Sequence, residues 1–159
     1  MRKIIEILEQ DCRKTPEEIA KKIGRDVETV KKQIKELEDR GVIAGYKALI
    51  NWDEFDRDLV VSQIELRVMP QIGKGCDRIA EKIYQYPQVK SMFLVSGGYD
   101  LCLTISGQNM KDVALFVAEK LAPMECIVST TTHFILKKYK EHGVIFEHGE
   151  TDNRQVITL

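Results

Sequence analysis

Two stretches of this chain carry side chains whose types and spacing could do chemistry. In the first, the apolar runs 92–95 and 101–105 are joined by Ser96-Gly97-Gly98-Tyr99-Asp100. β-rich runs around Gly and Asp read as a hairpin. The turn is richer than a hairpin needs. Glycine lets the backbone bring its N–H groups close to a ligand, and a carboxylate at the mouth of the turn can hold an ammonium group. A plainer alternative stands beside this: Gly97 and Gly98 make the turn, and Asp100 satisfies its own backbone.

The second stretch is a helix capped by Asp26. Val27, Val30, Ile34 and Leu37 recur at i, i+3, i+7 and i+10, which marks one buried stripe. At about 100° per residue, Lys32 falls at the middle of the opposite face, flanked by Glu28, Thr29, Lys35 and Glu36. Glu28 and Thr29 lie in the first turn, where a DNA-recognition helix reaches base edges. Lys32 and Lys35 can reach phosphates or guanine, and Lys31, nearer the side, suits phosphate. The span from Asp26 to Arg40 holds four basic and five acidic residues, so charge alone also fits a solvated face.

The elements that must position these residues follow from periodicity. Ile4, Ile5 and Leu8 predict a short amphipathic helix over 2–11. Thr15-Pro16-Glu17-Glu18 is a strong helix start with a capping box, and that helix buries Ile19, Ala20 and Ile23 before Gly24. Only a tight turn separates it from the Asp26 helix, a helix-turn-helix arrangement. Residues 43–50 read as a strand leaving this unit, followed by a polar, acidic linker with Trp52 and Phe55, where Trp52 reads as hydrophobic cover at a domain or subunit contact in preference to a ligand-stacking ring. Val60, Ser62, Ile64, Leu66 and Val68 alternate with polar residues in a strand that Pro70 ends. Cys76, Ile79, Ala80 and Ile83 predict a helix. Met110, Val113, Ala114, Val117, Ala118 and Leu121 predict another, and 125–136 a last strand. The order β-α-β-β-α-β is the split βαβ, ferredoxin-like arrangement. With Phe93 and Val95 turned to the helices, Met92 and Leu94 turn away, and the last strand puts Phe134 and Leu136 on one face and Ile127 and Ile135 on the other. Apolar residues on both faces predict a sheet-against-sheet dimer. Lys137-Lys138-Tyr139-Lys140 is expected to extend the last strand.

Composition sets outer bounds. The 159 residues carry a net charge of −1, which does not mark the whole molecule as a polyanion binder. Residues 1–50 hold 12 basic and 10 acidic residues, and the remainder 12 and 15. Cys12, Cys76, Cys102 and Cys126 form no C-x-x-C pair and suit reduced thiols. His133, His142 and His148 lack metal-ligand spacing, so neither metal nor cofactor is expected. Ile4-Ile5 is followed at once by Glu6 and Glu9, and no apolar run approaches the ~20 residues that span a bilayer. A cytoplasmic protein with no membrane partner is expected.

The motifs carry a resemblance. Gly24, Leu37-Glu38, Gly41-Val42-Ile43 and Gly45-Tyr46 fall where the Lrp/AsnC family of transcription regulators has its winged helix-turn-helix landmarks. The stretch 94–100 resembles that family's Gly-x-Tyr/Phe-Asp signature in the regulator-of-amino-acid-metabolism domain. The resemblance covers roughly 1–140, although the family usually opens with a longer first helix. It implies that Gly97, Gly98, Tyr99 and Asp100 line an amino-acid effector site where dimers meet, with Thr130 and Thr132 of the last strand as further lining. Asp100 and turn carbonyls would take the ammonium, and glycine N–H groups and threonine hydroxyls the carboxylate.

The expected architecture is therefore α+β: a helix-turn-helix domain over 1–50, a linker over 51–58, a ferredoxin-like effector and oligomerisation domain over 59–140, and a tail over 141–159. The expected function is a sequence-specific, non-enzymatic regulator of amino-acid metabolism. Its partners would be double-stranded DNA, a small amino acid, and its own copies as homodimers assembling into tetramers or octamers. Two rivals differ in class. One is a ligand sensor acting through proteins without DNA. The other resembles siroheme decarboxylases, which the acidic second domain with one His before the tail fits poorly.

Overall fold

The computed structural model describes residues 1–55, 59–69 and 76–146. The expected linker positions 56–58, the strand terminator Pro70, His148 and the tail beyond 146 lie outside them. The chain forms two units, Met1–Ile50 and Asn51–Leu159.

In the first unit, α1 (Arg2–Gln10), α2 (Pro16–Ile23) and α3 (Val27–Asp39) enclose one core. Thr15 accepts the Glu18 N–H at 3.2 Å while Glu18 accepts the Thr15 N–H at 2.8 Å, which completes the capping box. Gly24 ends α2 in the left-handed region at φ 65°. An L side chain is strained there, so the glycine fixes the sharp turn into α3. Ile4, Ile7, Leu8, Ile19, Ala20 and Val30 form the core, with Ile23, Val27, Ile34 and Ile43 against it. Burying the inner face of α3 is what aims its outer face at solvent.

The expected strand over 43–50 is absent. Beyond Ile43 these residues are exposed and form no ladder among the described residues. A strand needs a hydrogen-bonding neighbour, and α1–α3 offer none. Val42, Tyr46, Leu49 and Ile50 are left exposed. In the second unit, Trp52 meets Phe55 edge to face at 6.2 Å.

The second unit is a four-stranded antiparallel sheet, in the order β2 (Val89–Leu94), β3 (Leu101–Gly107), β1 (Val60–Val68), β4 (Ile127–Phe134). With α4 (Asp77–Ile83) and α5 (Met110–Phe116) this is the ferredoxin-like βαββαβ order. Ile64, Leu66 and Val68 of β1 join Leu101, Leu103 and Ile105 of β3 beneath Ile79, Ile83, Val113, Phe116 and Leu121. Thus the even positions of β1 and the odd positions of β3 face the helices.

Two bulges overturn the expected strand faces. Val89 opposes Ile105, but Ser91 already opposes Thr104. The extra residue flips the parity of β2. Met92 and Leu94 therefore lie on the helix face, and Phe93, 59% exposed, lies on the open one. A second shift at Arg67/Val68 sets Ile127 opposite Val68, on the same face as Phe134. The open face is consequently more polar than expected. It carries Val61, Gln63, Glu65 and Arg67, with Cys102 and Thr104, and Ser129, Thr131 and His133, alongside Phe93.

Other expectations shift for related reasons. After α5 the helix widens to a π turn over Val117–Leu121, with Ala122 N–H on the Val117 carbonyl at 2.8 Å. The wider turn keeps Phe116 and Leu121, five residues apart, both buried, and Ala114 and Ala118 are exposed. The last strand ends at Phe134, one last ladder bond running from the Ile135 N–H to the Val61 carbonyl at 2.9 Å, and Leu136 is 90% exposed. Lys137–Lys140 therefore do not extend β4. Lys140–Glu141 (β5) instead pairs with Val144–Ile145 (β6). The corner residues His142 and Gly143 have φ of 46° and 82°, the paired positive angles of a tight hairpin turn.

Candidate functional site

The exposed face of α3 is built by its cap and its ion pairs. Asp26 accepts the Thr29 N–H at 3.0 Å and the Thr29 hydroxyl at 3.3 Å. The Thr29 hydroxyl thus spends its proton on the cap and presents lone pairs outward. Lys31 Nζ lies 3.1 Å from Glu28 and 3.5 Å from Glu17 of α2. These carboxylates, Glu28 first, raise the Lys31 ammonium above its ordinary pKa. Lys31 therefore ties α3 to α2 as well as facing solvent. Lys35 pairs with Asp39 at 3.4 Å, and Glu36 with Arg40 at 3.4 Å. Lys32, exposed at the centre of the face, has no ion pair among the described residues. All five predicted residues, Glu28, Thr29, Lys31, Lys32 and Lys35, are exposed on the helix; Glu28 and Lys31 pair with each other, Lys35 pairs with Asp39, and Thr29 is tied to the cap.

The turn between β2 and β3 is anchored on β1. Val95 N–H donates to the Asp100 carbonyl at 2.9 Å, and Asp100 N–H to the Leu66 carbonyl at 2.9 Å. The Asp100 carboxylate accepts the Val68 N–H at 2.8 Å, and Arg67 Nη2 donates to the Gly98 carbonyl at 2.7 Å. Asp100 therefore does mechanical work as the clamp that ends β1. Arg67 was not foreseen; its exposed place in the alternation of β1 was the available signal. Gly97 and Gly98 are exposed, and a Cβ on either would meet nothing within 4 Å. These glycines leave open approach to the backbone.

Tyr99 lies beside the open face. Burial, then the neighbouring Cys102 and Glu65, raise its phenol above the ordinary value, so it stays protonated as a donor. Gln63 Nε2 reaches Cys102 Sγ at 2.9 Å, and His133 Nε2 lies 3.3 Å from Glu65. Thr130 and Thr132 stand elsewhere. They oppose Leu66 and Ile64, half-buried on the helix face of β4. One strand, β1, separates them from the turn, so within one copy of the unit they do not join it.

On the helix side, a groove of about 390 Å³ opens beside the turn, its mostly apolar wall built by Ala80, Tyr84, Val89, Met92, Leu94 and Leu101, with Cys76, Asp77, Lys90 and Ser91 also lining it. Burial raises the Cys76 thiol, and the Asp100 and Asp77 carboxylates add to the effect. That direction disfavours the thiolate, the form that reacts as a nucleophile. Among the described residues no group of three His, Cys, Asp or Glu side chains could hold a metal, and no helix is long and apolar enough to cross a membrane.

Comparison with known proteins bears on both parts. Residues 62–145 match the family described as the Lrp/AsnC ligand binding domain, and residues 1–44 that of winged helix-turn-helix DNA-binding domains. The chain is 46% identical to the HTH-type transcriptional regulator YugG of Bacillus subtilis, covering 98% of this chain and 94% of that one. It is 30% identical to the HTH-type transcriptional regulator LrpA of Pyrococcus horikoshii, covering 86% and 94%. Among solved structures, the Mycobacterium tuberculosis leucine response regulatory protein superposes with a TM-score of 0.74 at 20% identity, over 89% of this chain and 93% of that one. A transcriptional regulator of Neisseria meningitidis, solved as a complex with L-Met, superposes with a TM-score of 0.69 at 23% identity, over 87% and 89%.

Proposed function

We propose that this chain, which belongs to the Lrp/AsnC family of DNA-binding transcriptional regulators, controls its DNA occupancy in response to a small amino acid held at the 97–100 turn. The observation that carries the effector reading is the juxtaposition of an open glycine turn with an apolar groove beside it. Leu94 and Leu101 flank the turn and line the groove. An amino acid has a constant zwitterionic head and a variable side chain. Exposed N–H groups and the Asp100 carboxylate suit the head, and the groove suits an apolar side chain. The L-Met complex of the Neisseria relative supports the same ligand class.

DNA is read by α3, with Glu28, Thr29 and Lys32 toward bases and Lys31 and Lys35 toward the backbone. Self-association uses the open sheet face, where Phe93 is the exposed apolar centre. Dimers then assemble into tetramers or octamers, which bring Thr130 and Thr132 of one copy toward the turn of another. The regulatory mechanism is linkage. An effector that binds one assembly better than another shifts their populations, and with them DNA affinity.

The test is recovery of bound fragments from the source genome with and without the twenty amino acids. Fragments lost or shifted by one amino acid support the reading. Fragments indifferent to all of them remove the effector. No fragments in either condition move the function to a sensor acting through proteins. A monomer by light scattering at micromolar concentration refutes the assembly.

A further inference from the structure

We propose that Glu28 is a specificity residue that selects cytosine in the major groove. The proposal rests on α3 being the DNA-reading helix. Glu28 stands in the first turn of α3, its side chain 80% exposed. One turn further on lies Lys32, which has no ion pair among the described residues. A carboxylate facing DNA is repelled by phosphates, so it is useful there only if it takes a proton donor from a base edge.

The groove chemistry narrows the choice. Guanine presents N7 and O6, and thymine O4; all are acceptors that repel a carboxylate. Adenine places its N6 donor beside the N7 acceptor. Cytosine alone offers an N4 donor with no acceptor next to it. Thr29 reinforces this polarity, because its hydroxyl proton is committed to Asp26 and its outward lone pairs accept. The first turn of α3 is therefore an acceptor surface. Lys32 supplies a donor about 6 Å along the axis, in reach of guanine O6 or N7 on a neighbouring pair.

The ion pairs leave Glu28 available. Its contact with Lys31 is exposed, and such pairs contribute little. When Glu28 turns to a base, Lys31 keeps Glu17 as its partner. The Lys31–Glu17 contact thus releases Glu28 without leaving a cation unpaired.

The experiment is selection from a randomised duplex library on the full chain, comparing wild type with Glu28→Gln and Glu28→Ala. Wild type should enrich a motif with one cytosine column, and replacing that base should weaken binding about tenfold. Glu28→Gln should convert that column to adenine, since an amide pairs with both N6 and N7, and leave the other columns alone. Glu28→Ala should flatten it. Variants that keep the wild-type cytosine column overturn the proposal. Absence of any motif from the wild type overturns the DNA-reading premise itself, before any variant is compared. Thermal melts matching wild type show that the exposed substitutions leave the fold intact.

Discussion

Asp100→Ala should destabilise the second unit by about 2 kcal/mol, whatever Asp100 does for a ligand. The carboxylate accepts the Val68 N–H at 2.8 Å, at the end of β1 where Val68 is 4% exposed. A hydrogen bond to a charged group contributes about 1.5–3 kcal/mol, and its loss leaves a donor without a partner. The main-chain bonds from Asp100 to Leu66 and Val95 survive the substitution, so the hairpin stays joined to β1. For a unit near 100 residues, 1 kcal/mol moves Tm by roughly 4–8 °C. The expected fall is therefore about 10 °C. Trp52, the sole tryptophan, belongs to this unit, so its fluorescence follows the transition directly. A Tm within about 2 °C of wild type would refute the clamp argument.

The same position separates mechanics from binding. Asp100→Asn keeps an oxygen for the Val68 N–H and loses only the charge, so it should recover at least half of the stability lost in Asp100→Ala. An ammonium group, in contrast, needs the charge. Calorimetric titration with each amino acid should show a response in wild type and none in Asp100→Asn. A response that persists in this variant removes Asp100 as the ammonium anchor while leaving its structural role untouched.

Three further outcomes follow. Ser62 is fully buried and its hydroxyl has no partner among the described residues, so Ser62→Ala should be neutral or stabilising by about 1 kcal/mol; a lower Tm refutes this. Lys31→Gln should weaken DNA binding less than Lys32→Gln, which should cost about tenfold, because Glu17 stays beside Lys31 whereas Lys32 has no ion pair among the described residues; equal losses by fluorescence anisotropy contradict it. In the first unit, the Thr15 N–H first and then Lys14 hold the Glu18 carboxyl below its ordinary 4.5, and Arg13 holds Asp11 below 3.8. The unfolded chain then binds more protons than the folded one. The stabilisation is present above about pH 4.5 and fades as pH falls through the lowered folded values; melts of Glu18→Gln should depend less on pH in that range than wild type.

What was legible in the sequence was whatever a local rule dictates. Thr15-Pro16-Glu17-Glu18, Gly24 and Asp26 specify caps and a turn within a few residues, and each forms as expected. The alternation of β1 was equally plain. What escaped depended on register between strands. A bulge moves one residue and flips every side chain beyond it. Neither Lys90 nor the Arg67/Val68 step carries a glycine or proline to mark it. The error propagated directly: Phe93 and Met92 exchanged faces, Ile127 changed sides, and the open face lost much of its expected apolar character. The π turn after α5 escaped as well, since it brings Leu121, five residues past Phe116, back onto the same buried face where helical spacing favoured Ala114 and Ala118. The 43–50 segment shows the complementary limit, because alternation makes a strand only where a partner exists.

The charges of the two candidate sites share one property that bears on how such a protein can respond to a ligand. Within the folded chain most of them are already spent. Lys31, Lys35 and Glu36 are offset on or beside α3, and one Asp100 oxygen is committed to Val68. A single copy of α3 therefore offers a weak field to phosphates, and non-specific attraction, which scales with the phosphates neutralised, cannot dominate its binding. Under the proposed assembly, occupancy comes from base contacts repeated over several copies of α3, where each added half-site binds at the effective concentration set by the others. In that regime a small change in assembly is multiplied across every half-site. In the proposed mechanism, a ligand that gives up only a modest binding energy at the turn then moves DNA occupancy steeply.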